Sequence, residues 1–574
     1  MAIAFYGFLL VALNWIVGWN IYDLTLMPRL LALMVFLGLA VSAFSFSKAS
    51  KKFDSAILRD PLVLCLGAYA ALTAVSLAFA LNPTAGFTDV FKSFGAFVAL
   101  CLSCLILPTV PNWPGLLSRI VTLAALGSSG LGFYQILTKF GLGFPTRTQA
   151  EAVTGLMSNV NLHAGFLNLL LPFCLCGLFI QRGPWRVACG IASASTILLI
   201  ILLQSRAAYI SLVAGALVVC VIACLFRKSF GLVFSKRTLL TLAAGACVFA
   251  VAAGLAFVSE NPNSQRLRTI FTSDFSAIDG GRLMIWGITL EMIRDHFVTG
   301  VGAGNFTIRL HEYLDRPRLD FSGKLLNWAQ PHNDFLWVFA EKGILGFLLF
   351  AAVFVLAFLR AIAALRAPRN RDAAWMVAFA LMGLTAYIIA SCFDFPLERI
   401  NQQVYLAVLL SILVVASRPP SPVKQKKSAL HWIPAASAIV ILVAGTVYSL
   451  AAIKQENLVN YTRHWIKTGN FPAAIAYARQ ARTPWKTLDP VATPVSFLEG
   501  YAILKTGDAR SAIPLFEQAR RENPNRLYIF QNLADAYLAV GRKADAIECL
   551  ELATRRYPQD APTRAALERA RAAQ

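Results

Sequence analysis

At 574 residues the chain is long enough for several soluble domains, yet 57% of it is hydrophobic, 14% is charged and the mean hydropathy is +0.61. That balance excludes an ordinary soluble globular protein and reads as an integral membrane protein. A net charge of +22 raises nucleic acid as a partner, but the basic residues alternate with apolar runs instead of forming one patch.

A membrane-crossing helix needs about 20 mainly apolar residues. Thirteen candidate spans follow in chain order: 1–19, 29–47, 61–81, 93–108, 116–137, 161–181, 186–203, 207–226, 238–258, 335–359, 373–393, 402–417 and 432–453. The span at 402–417 is short, so the expected count is 12–13. The opening stretch has no basic n-region and no small-residue cleavage site, and is read as a retained first span, not a cleaved signal peptide. Basic residues collect in alternate loops: Lys48, Lys51, Lys52 and Arg59; Arg182 and Arg186; Arg227, Lys228, Lys236 and Arg237; Arg360, Arg366, Arg369 and Arg371; Arg418, Lys424, Lys426 and Lys427. The positive-inside rule makes these the cytoplasmic loops. With the N-terminus inside, thirteen spans put the long loop 259–334 and the whole tail on the opposite side.

Ten of the eleven cysteines fall in proposed spans, including the pairs Cys101/Cys104, Cys174/Cys176 and Cys220/Cys224. Small apolar packing residues are far commoner there than metal or disulfide chemistry. Only Cys549 lies in the tail, which excludes an intramolecular disulfide framework there.

From about residue 454 the composition turns to Ala, Arg, Glu and Tyr with helical spacing. Gly507, Ala512, Ile513, Ala519 and Pro524 recur 34 residues later as Gly541, Ala546, Ile547, Ala553 and Pro558. A weaker copy, Gly469, Ala474, Ile475 and Ala481, precedes them at an offset of 38, as if four residues were inserted in a loop. This period resembles tetratricopeptide repeats, and three helix pairs are about the minimum that buries a continuous core. The expected fold is therefore all-α: residues 1–453 as a polytopic transmembrane helix bundle, with 259–334 as its large outer loop, and 454–574 as a repeat solenoid able to bind a protein partner.

Three residues in the membrane part reach the same face. Arg206, in "LLQSRAAYISL", interrupts apolar sequence between two spans, where a charge costs roughly 2.5–3.5 kcal/mol even on the lenient insertion scale. Arg282, in "DGGRLMIWGITLEMIRDH", opens a helix-like segment, and a helix start with a guanidinium makes an anion site. His332, in "QPHNDFLWVFAEKGILGF", stands at the mouth of an apolar run. An imidazole with an ordinary pKa of about 6.5 accepts a proton at neutral pH, which suits activation of a hydroxyl. Each has a plain alternative: a snorkelling arginine, a surface arginine, an interface histidine. No other histidine stands at metal-ligand spacing from His332, which argues against zinc. "TGVGAGNF" lacks the spacing of a nucleotide-binding loop and reads as a tight turn. Arg266, Arg268, Arg309, Arg316 and Arg318 are further phosphate or sugar contacts or solvated charges; Trp286, Trp328 and Trp337 are stacking platforms or interface anchors.

The segments "SRAAYISLVAG", "GRLMIWGITLEMIRDHFVTGVGAGNF" and "PHNDFLWVFAEKGILGFLLF", with "SNVNLHAGFL" before and "CFDFPLERINQQVYLAVLL" after, resemble the O-antigen ligase / Wzy polymerase superfamily over roughly residues 60–417. The resemblance implies a Gram-negative inner-membrane glycosyltransferase. Such an enzyme takes a glycan from undecaprenyl diphosphate on the periplasmic side without a metal ion or other cofactor. It places the catalytic roles on Arg206, Arg282 and His332; donor or glycan contacts at Arg266, Arg268, Asn333 and Trp328 are read from the residues themselves. The implied transfer is an inverting single displacement. Ligation to lipid A-core is favoured; polymerisation of repeat units and transfer to protein Ser or Thr use the same donor chemistry. A reading from another class is a transporter of lipid-linked glycans, but the spans look almost free of acidic residues and the three candidates share one face, unlike alternating-access sites.

Overall fold

The computed structural model describes residues 1–47, 55–141, 145–157, 159–232, 281–314, 329–418 and 432–572. Among the described residues the protein is 81% helical and has no strands. In chain order the helices used below are α1 (Ala2–Leu10), α2 (Leu26–Phe46), α3 (Pro61–Val75), α4 (Phe87–Ile106), α5 (Trp113–Phe140), α6 (Arg147–Glu151), α7 (Val160–Ile180), α8 (Pro184–Leu202) and α9 (Arg206–Leu225). They continue as α10 (Arg282–Asp295), α11 (Phe306–Leu314), α12 (Asp334–Arg366), α13 (Arg371–Phe393), α14 (Ile400–Ala416), α15 (Trp432–Thr468), α16 (Phe471–Ala481), α17 (Val495–Lys505), α18 (Ala509–Glu522), α19 (Leu527–Ala539), α20 (Lys543–Arg556) and α21 (Ala561–Ala572).

Ten described helices are long and apolar enough to cross a membrane, and they fall on ten of the expected spans. The expected spans at 1–19 and 402–417 appear as shorter apolar helices, and 238–258 lies outside the described residues. The first is broken at Val11 into α1 and a 3₁₀ turn over Ala12–Trp15. The helix α14 is short because it is central: every residue from Ile400 to Ala416 is buried. An all-round apolar helix belongs at such a place.

Helix starts are written locally. Asp60 caps α3 through Leu62 N with Pro61 behind it, and Asn112, Asn159 and Asn370 cap α5, α7 and α13 in the same way. A polar cap satisfies amide groups that have no partner within the helix. Among the described loop residues, Arg360, Arg369 and Arg418 meet at one end of the bundle. There the fully buried Asp60 carboxylate meets Arg360 at 2.9 Å and Arg418 at 3.5 Å, and Arg369 donates to the Arg418 carbonyl.

The C-terminal repeat expectation is met position by position. Gly469, Gly507 and Gly541 turn the chain with φ of 80°, 91° and 77°, a left-handed backbone that favours glycine. Ala474, Ala512 and Ala546 are each fully buried at helix crossings. The longer first offset is absorbed in the connection 482–494 between α16 and α17, against 523–526 between α18 and α19. The expected boundary at 453/454 falls inside one uninterrupted helix, because α15 runs 37 residues, about 55 Å at 1.5 Å per residue. A hydrocarbon core is about 30 Å thick, so the end of α15 extends into the solenoid.

Candidate functional site

His332 adopts φ 53°, a left-handed conformation that costs a side-chain-bearing residue about 1–2 kcal/mol. Such strain persists where the surroundings over-determine it. On its C-terminal side Asn333 caps α12, its side-chain oxygen accepting from Leu336 N at 3.1 Å. The next residue, Asp334, is fully buried and accepts from Ser391 Oγ at 3.1 Å and Leu397 N at 3.0 Å. That carboxylate staples the His332 turn to the connection between α13 and α14. The connection carries Asp394, whose Oδ1 lies 3.6 Å from His332 Nδ1, and Phe395, whose ring meets the imidazole edge-on at 4.9 Å. His332 keeps 28% of its side chain exposed while Asp394 keeps 7%, so the pair has a buried side and an open side.

Arg282 is the first residue of α10, entered through Gly281 at φ 82°. One turn on, Trp286 Nε1 donates to the Pro331 carbonyl at 2.9 Å, tying the Arg282 helix to the residue before His332. Trp286 thus clamps the two segments together through its indole nitrogen.

Arg206 is the first residue of α9, and Gln204 before it is again left-handed at φ 53°. The helices α9 and α13 pack antiparallel. A Cβ on Gly215 would touch Met382, and beyond the far end of α9 Ser229 Oγ donates to Leu365 O while Gly231 lies against Arg371. Nine residues back from Gly215 and nine on from Met382, Arg206 comes level with the last turn of α13, just before Asp394. All three sequence candidates therefore sit at one end of the bundle, opposite the basic Asp60 end, each beside a left-handed turn.

The apolar run after His332 is not one straight span. Gly343 breaks α12 with φ 64° and ψ −170°, so the expected span 335–359 is corrected to a short helix over 334–342 followed by the crossing helix. The broken end leaves carbonyls without helical partners, and "TGVGAGNF" supplies them: Val301 N donates to Ala340 O and Gly302 N to Glu341 O, both at 2.9 Å. Ile344 N returns a bond to Phe297 O. Gly300 and Gly343 have to be glycine, since a Cβ would fall 2.4 Å from Glu341 backbone and 2.0 Å from Val298 O. The glycines thus serve a backbone-to-backbone joint, a fuller account than the tight turn expected of them.

The expected spans hold one acidic residue, Glu341, so they are nearly free of acidic groups as expected, but further acids are buried beside them. Asp89 and Lys92 on α4 pair at 2.7 Å, Lys92 also binds Glu398, and Glu341 and Lys342 are buried in α12. Asp89, Lys92 and Glu398 lie outside the expected spans, while Glu341 and Lys342 lie within 335–359, on the short piece of α12 before the break at Gly343. Asp23 is held by Arg399; burial alone would raise its carboxyl, but the charge and hydrogen bond of Arg399, with Thr25, bring it below the ordinary value. Arg266, Arg268 and Trp328 lie outside the described residues. Asn333 has its oxygen committed to capping, leaving the amide nitrogen for a ligand. Asp394 was legible only as part of "CFDFPLERINQQ"; no local pattern announces an acid 62 residues from its histidine. Among the described residues no three His, Cys, Asp or Glu side chains converge as a metal site, and the ten described cysteines are free.

Residues 191–351 match the family model described as O-antigen ligase. The chain carries an O-antigen ligase domain. That domain runs from α8 through Arg206, Arg282 and His332 to the crossing part of α12, and it makes the bundle a multi-pass membrane protein of the glycosyltransferase-like ligase or polymerase kind. Asp394 lies beyond the matched stretch. Residues 504–570 match a tetratricopeptide repeat model, covering α18 to α21. A search of curated proteins finds no match to the chain.

Proposed function

We propose that this O-antigen ligase domain belongs to a Gram-negative inner-membrane enzyme that transfers a glycan from undecaprenyl diphosphate to an acceptor hydroxyl on the periplasmic side, with lipid A-core as acceptor. The observation that carries the reading is the His332–Asp394 pair, joined to Arg282 through Trp286 and level with Arg206. The Asp394 carboxylate favours the tautomer with its proton on Nδ1, which leaves Nε2 as the base. His332 Nε2 takes the proton of the acceptor hydroxyl, the oxygen forms a bond to the anomeric carbon, and the bond from that carbon to the diphosphate breaks with inversion. The electron pair leaves on the diphosphate. Arg206 and Arg282 suit that departure, because guanidinium groups bind phosphate oxygens in pairs and stay charged throughout. The step calls on no metal ion.

The test is transfer by purified protein in detergent, given lipid-linked glycan and, in separate arms, lipid A-core, a second lipid-linked glycan or a Ser/Thr-bearing protein. Product on lipid A-core is expected; product in another arm alone reassigns the acceptor. His332→Asn keeps a residue tolerant of the left-handed backbone and should cut the rate by about 10²–10⁴-fold, the usual worth of a general base. Asp394→Asn should lower kcat more than it raises KM. Near-normal transfer by His332→Asn would refute the assignment, and no product in any arm would favour transport.

A further inference from the structure

Between the bundle and the solenoid lies a cavity of about 160 Å³. Asp89, Trp337 and Glu341 form its inner wall, and Glu456, Lys486 and Asp489 its outer wall; Gln330, two residues before His332, also reaches it. The outer wall belongs to the end of α15 and to the connection 482–494, the insertion that lengthens the first repeat offset. That connection is seated on the bundle by Thr487 Oγ1, which meets Asn82 Nδ2 at 2.8 Å and Thr84 Oγ1 at 3.0 Å. The cavity therefore exists only with the solenoid in place.

The walls are short of donors. Each carboxylate offers about four acceptor positions. Asp489 is met by Arg463, Val491 N and Thr493 N, and Asp89 by Lys92. Glu341 accepts from Phe306 N on Oε1 and Glu456 from Lys486 Nζ at 2.6 Å on Oε1, each with no hydrogen bond to its Oε2 among the described residues. Glu456 Oε2 accepts no hydrogen bond from any described residue, although the residue is 3% exposed. A buried acceptor in that state calls for a ligand that donates. An anion would face carboxylates on both walls, so the diphosphate belongs with Arg206 and Arg282 and not here. A neutral polyhydroxylated ring brings several hydroxyl donors and an apolar face for Trp337. The volume lies below the roughly 300–1,000 Å³ of drug-sized pockets and suits one ring, not an oligosaccharide.

We infer that this cavity is a subsite for a single sugar ring, with the solenoid connection 482–494 as its outer wall, so that the repeat domain completes the site in cis. The inference rests on the glycosyltransferase reading above. Saturation-transfer NMR on the full chain in detergent, with methyl glycosides of glucose, galactose, rhamnose and N-acetylglucosamine at millimolar concentration, tests it directly. At least one glycoside should bind, and His332→Asn should bind it as the parent does. Removing the pair together, Glu456→Gln with Lys486→Gln, should weaken binding at least tenfold. Ala329→Trp, at an exposed position on the cavity wall, should do the same without disturbing the pair. No binding by the parent, or unchanged binding by a folded Ala329→Trp protein, overturns the subsite. In the transfer assay a raised KM for acceptor assigns the ring to the acceptor and a raised KM for lipid-linked donor assigns it to the donor; neither changing overturns the subsite. Glycoside binding without transfer to any acceptor would keep the subsite and remove the glycosyltransferase reading.

Discussion

The segment from Phe297 to Leu314 is held on two sides by opposite means. Toward the membrane it meets broken α12 mainly through backbone: Val301 and Gly302 donate to Ala340 and Glu341, and Gly300 and Gly343 give the clearance, with Phe306 N adding a bond to Glu341 Oε1 at 3.2 Å. Toward the solenoid it is held by side-chain amides. Asn525 Nδ2 of the solenoid donates to Ile308 O at 3.1 Å and Glu312 Oε1 at 2.6 Å, while Asn82 of the bundle exchanges bonds of 2.9 and 3.0 Å with Asn305 and in turn donates to Glu522 O of the solenoid at 3.0 Å. A backbone joint has no adjustable part, so it fixes the His332 loop rigidly. An amide joint depends on individual side chains, and its strength can change with sequence and with pH.

The sharpest way to break this contrast is Gly343→Ala. The new Cβ would sit 2.0 Å from Val298 O at a left-handed φ, and overpacking with backbone strain should cost about 3 kcal/mol or more. A clear fall in Tm in detergent, with loss of transfer, is expected; an unchanged Tm would show that the joint can give. On the solenoid side the expected lever is acid. Burial, then the charge of Arg526, pushes the pKa of His311 down to about 3, so the ring is neutral in the folded protein. Its contribution is intact above the unfolded value of about 6.5 and is lost as pH falls from there toward 3. At pH 5 the loss is about 2 kcal/mol. Proteolysis of the solenoid junction should therefore speed up between pH 7 and pH 5, and His311→Gln should flatten that dependence. The smallest effect is expected from Asn525→Ala, which strands Ile308 O and Glu312 and should cost about 1–2 kcal/mol. Its readout is the same proteolysis at neutral pH, where a rate equal to the parent's would mean that the amides are dispensable.

Much of the molecule was legible along the chain. Hydropathy located the spans, and glycine and alanine at a 34-residue period outlined the solenoid. The three candidates Arg206, Arg282 and His332 were legible as exceptions, charged or titratable groups at the edges of apolar sequence. Three features were not. The break at Gly343 hides in a run whose hydropathy is continuous on both sides. Asp89 and Lys92 lie just before the expected span 93–108, so a scan for spans clips them off, and Glu341 with Lys342 is submerged in the apolar run 335–359. Asp394 and the seam through Asn82 and Asn525 depend on residues up to several hundred positions apart.

The division has one physical cause. Membrane insertion, helix capping and repeat packing respond to what consecutive residues are, because a helix satisfies its own backbone and presents its side chains at a fixed spacing. By itself, then, the sequence determined the all-α membrane architecture, the repeat tail and the three candidates Arg206, Arg282 and His332 at the edges of apolar sequence. The pairing of His332 with Asp394, the glycine joint at Gly343 and the seating of the solenoid beside the site are set by where separate helices end relative to one another, and only the tertiary structure decided them.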